Sequence, residues 1–223
     1  MSAALAGIRL LVSAGPTYED IDPVRFIGNR SSGKMGFAIA AVAAERGAEV
    51  VLVAGPVHMS TPAGVHRIDV RSAAQMHAAV MAALPCDAYI GAAAVADFTP
   101  LAIASNKLKK QPGQDTLVLE LVKTRDILAE VAAHASRPRL VVGFAAETDN
   151  VAGYARGKLE RKGVDLICAN RVGIAGGGFE SDDNALLVID RDGERALGPT
   201  SKTALAGELL DIVANRLSAG GAG

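Results

Sequence analysis

The chain has 223 residues, enough to bury a sizeable core as one large domain or two small ones. Half of the residues are apolar, 21% are charged and the formal net charge is −1, so no global field draws the chain to nucleic acid or to an anionic membrane. The absence of Trp and the low aromatic content argue against a base-stacking nucleic-acid platform.

The predicted elements alternate between strand and helix. Ile8–Ser13 reads as a strand, and Met35–Arg46 as an Ala-rich helix stopped by Gly47. Glu49–Ala54 is a second strand ended by Gly55-Pro56, and His66–Val70 a short third. Ala73–Leu84 is helical up to Pro85, and Ala88–Val95 is a near-continuous apolar strand of the buried parallel kind. A Lys-rich loop, Thr99–Asp115, leads to a strand at Thr116–Val122 and a helix at Asp126–Ala135, with Thr124 or Asp126 near its N-cap. Leu140–Ala145, Val151–Lys162 and Leu166–Ala169 read as strand, helix and strand, the helix closing on Gly163. Gly173–Gly178 reads as a flexible loop. Asn184–Asp190 and Arg195–Leu197 flank the turn pair Asp192-Gly193 as a hairpin. Lys202–Leu217 is the last helix. The expected organisation is one domain over 1–217 and a disordered tail over 218–223.

This alternation implies an α/β fold: a doubly wound, mostly parallel, Rossmann-like sheet with a C-terminal β-hairpin extension. The hairpin reads equally as an antiparallel edge, a lid or a dimerisation arm. Ligands in such sheets bind at the strand C-termini. Polar and glycine-rich material follows Ser13, Val95, Ala145 and Ala169. No apolar run approaches a membrane span, and the N-terminus lacks a signal peptide's charged and apolar regions. Cys86 and Cys168 sit in apolar, strand-like runs and read as buried reduced thiols, which suits a cytoplasmic protein. The four histidines, His58, His66, His77 and His134, show no metal spacing and read as surface or loop residues.

Four segments carry candidate chemistry. The first is Gly28-Asn29-Arg30-Ser31-Ser32-Gly33-Lys34-Met35-Gly36, between an acidic loop (Tyr18 to Pro23) and a helix. Backbone N–H groups freed by glycine at a helix start form a concave oxyanion site. The plainer alternative is a glycine loop in which Asn29 and Ser31 satisfy backbone groups. A P-loop fits poorly: Met35 stands where Ser or Thr should ligate magnesium, and the first strand ends well before Gly28.

The second is Gly91-Ala92-Ala93-Ala94-Val95-Ala96-Asp97-Phe98, whose small residues let a flat ring approach the backbone. Asp97 suits a ribose hydroxyl or a metal there, or is simply solvated. The third is Lys107-Leu108-Lys109-Lys110, three cations suited to a polyphosphate or to a wet surface loop. The fourth is Val142 to Thr148, where Phe144 covers a base or a pantetheine-like chain, or else is core. Downstream, Lys158 and Lys162 share one helix face.

These segments, with Ser13-Ala-Gly-Pro-Thr17, Asp22-Pro-Val-Arg25, Asp165 to Asn170 and Phe179 to Asn184, resemble the phosphopantothenate–cysteine ligase (phosphopantothenoylcysteine synthetase) family in order and spacing over nearly the whole chain. The resemblance implies a coenzyme A biosynthetic ligase, unrelated to the ATP-grasp enzymes, that joins 4′-phosphopantothenate to L-cysteine. CTP is the co-substrate and Mg²⁺ the cofactor. The carboxylate attacks the α-phosphate of CTP, giving an acyl-cytidylate and pyrophosphate; the cysteine amine then displaces CMP. It further implies a homodimer, and a flavin-dependent decarboxylase domain preceding the ligase on the same polypeptide.

By the same resemblance, Asn29 handles the acyl-cytidylate and Lys107 is a flexible lid lysine. Gly91, Ala92, Ala93 and Asp97 form the nucleotide-contacting strand end, with Asp97 a candidate metal ligand. Phe144, Lys158 and Lys162 contact nucleotide, as does the helix start Arg125-Asp126-Ile127-Leu128, where Arg125 stands in place of the usual Pro. Such chemistry needs no nucleophilic side chain, because the substrate carboxylate attacks. It needs positioning, and cations to offset the repulsion of two anions. Two other readings remain. An NAD(P)-binding oxidoreductase suits the fold, but Gly28, Gly33 and Gly36 do not form G-x-G-x-x-G after the first strand. A non-catalytic nucleotide-binding regulator shares the binding features without the turnover.

Overall fold

The computed structural model describes residues 5–110, 112–113, 115–147, 150–171 and 183–219. In chain order the strands are β1 (Arg9–Ala14), β2 (Tyr18–Asp20), β3 (Phe26–Gly28), β4 (Glu49–Ala54), β5 (Val65–Asp69), β6 (Ala88–Gly91), β7 (Phe98–Pro100), β8 (Leu121–Lys123), β9 (Leu140–Glu147), β10 (Leu166–Arg171), β11 (Asp183–Ile189) and β12 (Glu194–Ser201). The helices are α1 (Lys34–Glu45), α2 (Ala73–Ala82), α3 (Ile127–Ala132), α4 (Val151–Lys162) and α5 (Lys202–Ala219).

An unbroken apolar run makes β1 a central strand, buried from Leu10 onward on both faces. Among the described residues the main sheet has eight strands in the order β12-β11-β10-β9-β6-β1-β4-β5. From β5 to β10 every pairing is parallel. The chain therefore winds outward from β1 in one direction, returns, and winds outward in the other. The reversal falls between β1 and β6, where Ser13 lies opposite Gly91. The doubly wound expectation holds, and the crevice it creates lies at this switch point. The C-terminal hairpin is an antiparallel edge: β11 pairs with β10, and β12 with β11.

Two apolar layers sandwich the sheet. On one face, Phe37 and Ile39 of α1 and Leu205, Leu209 and Val213 of α5 pack over Leu10, Val12 and Leu52. On the other, α2, α3 and α4 bring Met76, Val80, Val131, Ala155 and Leu159 over Leu11, Tyr89, Val141 and Ile167.

The structure corrects several expectations. The strand expected over Ala88–Val95 stops at Gly91. Gly15, at φ +79°, turns the chain out of the pleat after β1, and beyond Gly91 only an isolated bridge between Ala94 and Pro16 remains. The strand expected at Thr116–Val122 is reduced to β8, since most of its apolar residues have no sheet to join; Val118 is 87% exposed. β8 pairs with β7, and β2 with β3, in two small hairpins that strand–helix alternation did not signal. The third helix is shorter than expected; Asp126 caps it, while Thr124 instead donates its hydroxyl to the Ala96 carbonyl. Ser218 and Ala219 complete α5 rather than beginning a tail, and Ser218 donates to the Ala214 carbonyl. Residues 220–223 and the loop expected at 173–178 lie outside the described residues.

His77 is buried on α2 rather than at the surface, and its Nε2 lies 3.0 Å from Glu130 Oε2. His66 is in β5. Cys86 precedes β6 and is half-buried, with burial pushing its thiol up to about 11; Cys168 is fully buried in β10 and is likewise raised. Among the described residues no helix is long and apolar enough to cross a membrane.

Candidate functional site

Two clefts open at the C-terminal ends of β1, β6 and β9, one on each side of the sheet. The first, about 570 Å³, lies on the α3/α4 side. The second, about 590 Å³, lies on the α1 side. Ala93, Val95, Asp97, Phe144 and Lys158 line both and form the wall between them. Lys158 Nζ donates to the Phe144 carbonyl at 2.7 Å, which fixes the cation on this wall.

The first cleft brings together Gly91, Ala93, Asp97, Arg125, Asp126, Ile127, Leu128, Phe144, Lys158 and Lys162 from the sequence-predicted set. It adds Lys123 and Arg161, cations that sequence reasoning did not select. Arg161 was findable, because it lies three residues after Lys158 on the same helix. Arg125 donates twice to Glu130, at 2.6 and 3.0 Å, so its guanidinium is held at the rim. Burial alone raises the Glu130 carboxyl, but the hydrogen bonds from Arg125 and His77 outweigh it and leave the group below its ordinary value. Asp126 accepts from the Ala129 N–H at 3.1 Å and pairs with Lys162. A carboxylate therefore already occupies the start of α3, where the resemblance implied a nucleotide contact.

The second cleft gathers Asn29, Arg30, Ser31, Ser32, Gly33, Lys34 and Ala92. Asn170, Leu186 and the buried Lys202 also line it and were missed. The loop enters α1 through Gly33, whose φ of +75° excludes most side chains; a Cβ there would also stand 3.1 Å from Val57 Cγ1. Among the described residues no side chain caps α1 at Gly33, and the loop runs directly into the helix N-terminus. Ser31 Oγ accepts one hydrogen bond, from Gly33 N at 3.3 Å. Asn29 donates its amide to the carbonyls of Ala94 (3.2 Å) and Val95 (3.0 Å), tying the loop to the chain leaving β6. Gly28 ends β3 opposite Tyr18 and lines neither cleft. The loop does not follow β1 directly, so the P-loop arrangement is absent from it.

Lys107 is exposed and lines neither cleft. Its root is nevertheless fixed. The buried Asp22 accepts from the backbone N–H groups of Val24, Arg25 and Leu108 and from the Arg25 guanidinium. Arg25 in turn donates to the Leu108 carbonyl at 2.8 Å.

Among the described residues no group of three His, Cys, Asp or Glu side chains stands close enough to hold a metal unaided. Asp97 takes no side-chain hydrogen bond or ion pair among them, so its oxygens stay available at the junction of the clefts. One free carboxylate suits Mg²⁺, which is commonly held by one or two carboxylates together with substrate phosphates.

The family described as DNA/pantothenate metabolism flavoprotein C-terminal domain matches residues 5–217. The chain belongs to that family. It is 53% identical to a coenzyme A biosynthesis bifunctional protein CoaBC of Vibrio cholerae over 94% of its own length and 53% of the relative's. Identity to the protein of the same name from Escherichia coli K12 is 50%, over 95% and 53%. The chain thus spans about half the length of these curated relatives. A crystal structure of the C-terminal domain of a CoaBC protein superposes with a TM-score of 0.82 at 39% identity, covering 97% of this chain and 99% of that one. A Streptococcus pneumoniae protein described as the DNA/pantothenate metabolism flavoprotein shares the fold, with a TM-score of 0.77 at 22% identity over 93% of this chain and 98% of that one.

Proposed function

We propose that this chain is the ligase part of a coenzyme A biosynthetic enzyme, joining 4′-phosphopantothenate to L-cysteine at the expense of CTP. The observation that carries the reading is the pair of clefts sharing one wall. The first has cations along its rim, suited to a triphosphate. The second has a glycine-rich loop leading into the N-terminus of α1, suited to a phosphate monoester. Two anionic substrates bound in this way meet at Asp97, Phe144 and Lys158. Lys158 there offsets the repulsion between the substrate carboxylate and the α-phosphate as the acyl-cytidylate forms. Lys162, Arg161 and Arg125 face the departing pyrophosphate, and Lys107 reaches in from its anchored loop. Asn29 positions the acyl-cytidylate for the cysteine amine, which displaces CMP. Asp97 would hold Mg²⁺ together with the substrate phosphates, and the ion would supply further charge neutralisation. No side-chain nucleophile is needed.

The bifunctional naming of the relatives, of whose length this chain spans about half, supports a decarboxylase domain on the same polypeptide. Val24, Phe26, Phe98, Leu101, Ile103 and Leu121 are exposed on and beside the two small hairpins. Such a patch supports a homodimer through this face. The unit proposed is a single ligase domain over 1–217. The exit of β1, Ala14-Gly15-Pro16, lacks the dinucleotide fingerprint, which weighs against an NAD(P) oxidoreductase.

The test is an end-point assay with phosphopantothenate, cysteine and each of the four nucleoside triphosphates. The expected result is pyrophosphate release that requires phosphopantothenate and is fastest with CTP. Nucleotide binding without pyrophosphate release would return the chain to a regulatory role.

A further inference from the structure

The floor of the first cleft holds a polar pair to which the scheme above gives no task. Ser13 on β1 and Tyr89 on β6 are each 1% exposed, and their hydroxyls stand 2.8 Å apart. Both line the cleft. They meet because of the register. Tyr89 lies opposite Leu11, two residues before the Ser13–Gly91 pairing, on the same face as Gly91. The ring leans along the strand over Gly91. A Cβ at position 91 would stand 3.3 Å from both Cε1 and Oη of Tyr89, so the glycine leaves room for the phenol to reach the strand end.

Two hydroxyls carry two donor hydrogens. One is used within the pair. Among the described residues neither oxygen makes a further hydrogen bond, so the second hydrogen has no protein acceptor there. Burial pushes the Tyr89 phenol up to about 12, so both groups remain neutral hydroxyls throughout the physiological range. A buried, unspent donor at the floor of a cleft is served by whatever fills the cleft.

We infer that the Ser13–Tyr89 pair donates one hydrogen bond to the base of a bound nucleoside triphosphate, on a ring carbonyl or ring nitrogen acceptor. The inference rests on the nucleotide reading proposed above. The ends of the ligand sort by charge. Lys123, Arg125, Lys158, Arg161 and Lys162 line the same cleft and hold the polyphosphate. The neutral pair, beside the small residues Gly91 and Ala93, is left for the flat, uncharged end. A cytosine presents adjacent acceptors, its C2 carbonyl and N3, to such a donor.

The experiment uses the whole chain and two probes, CTP and inorganic tripolyphosphate. The double variant Ser13→Ala/Tyr89→Phe removes both hydroxyls while keeping the shape, a replacement close to neutral for stability. CTP affinity is expected to fall about five- to tenfold, the loss of one neutral hydrogen bond. Tripolyphosphate affinity is expected to stay the same, and so is kcat at saturating CTP, because the contact is equal in ground and transition states. The single variants then show which hydroxyl faces the base: the one whose removal reproduces the double variant. Unchanged CTP affinity in the double variant overturns the inference. So does an equal loss for CTP and tripolyphosphate, which would make the pair a shape element of the whole cleft. A wild-type chain that binds none of the four nucleoside triphosphates overturns the nucleotide reading itself, and that measurement precedes any variant.

Discussion

Asn29→Asp tests the loop of the second cleft without changing its size. In the native chain one amide group donates to two carbonyls, Ala94 at 3.2 Å and Val95 at 3.0 Å. An ionised carboxylate has no hydrogen to give. At about 1 kcal/mol each, the two lost bonds amount to about 2 kcal/mol, a factor of about 30 in how firmly the loop is docked. The new charge also faces two carbonyl oxygens and the acyl phosphate proposed to lie beside them. In the proposed scheme activation takes place at the wall shared with the first cleft and draws mainly on its cations, so it should survive better than cysteine transfer. The expected result is accumulation of the acyl-cytidylate in the presence of cysteine, read by quenched-reaction mass spectrometry alongside pyrophosphate release. Asn29→Ala, which loses the bonds but adds no charge, should show a milder form of the same imbalance. Product formation at the wild-type rate would reduce Asn29 to a loop-fastening residue. Loss of pyrophosphate release would show that the loop acts before the intermediate exists.

Lys107→Gln should leave thermal unfolding unchanged, since the side chain is exposed, and lower turnover about a hundredfold; near-native turnover at saturating CTP would refute a role for this lysine. Asp97→Asn should weaken Mg²⁺-dependent CTP binding, measured by calorimetry, and leave cysteine saturation unaffected; equal CTP affinity with and without the carboxylate would make Asp97 a solvated bystander. Gly143→Ala would set a Cβ 2.5 Å from Leu128 Cδ2 and 2.9 Å from Ile167 Cδ1, costing about 1–3 kcal/mol, and an unchanged melting temperature would contradict this packing. The Arg25 guanidinium, followed by the N–H groups of Val24, Leu108 and Arg25, holds the Asp22 carboxyl well below its ordinary range against the opposing effect of burial. Its stabilisation is therefore present above the ordinary carboxylate pKa and is lost as pH falls from there through the lower folded value. Asp22→Asn should flatten the acid side of the unfolding profile, and an unaltered acid limb would show that the clamp contributes nothing.

The inner strands of the frame were legible because they are buried on both faces and so appear as apolar runs with little alternation. Five of the six parallel strands stand within two residues of where the sequence puts them. The sixth, β6, failed at its end because Ala92 to Val95 are as apolar as a strand but follow a backbone bent at Gly15. β2 and β3 were invisible for the opposite reason: three residues each, with only Glu19 buried. Most of the site was legible through its motifs. Lys202 and Lys123 were not, because each is one polar residue at the end of an ordinary element, brought to a cleft by winding rather than by local pattern. The Ser13–Tyr89 contact spans 76 residues, and nothing in either residue's neighbourhood announces the other.

The strand order has a consequence for how the protein keeps to itself. An open sheet ends in two ladders of unpaired backbone groups, and among the described residues these belong to β5 and β12. An incoming strand would find each a poor template. β5 is five residues long and carries His66, Arg67 and Asp69, with Arg67 folded back onto Asp69 and the Met59 carbonyl. β12 begins with Glu194 and Arg195 and contains Pro199, which has no N–H to offer. Both margins therefore offer an added strand short or charged segments and, at Pro199, a missing donor.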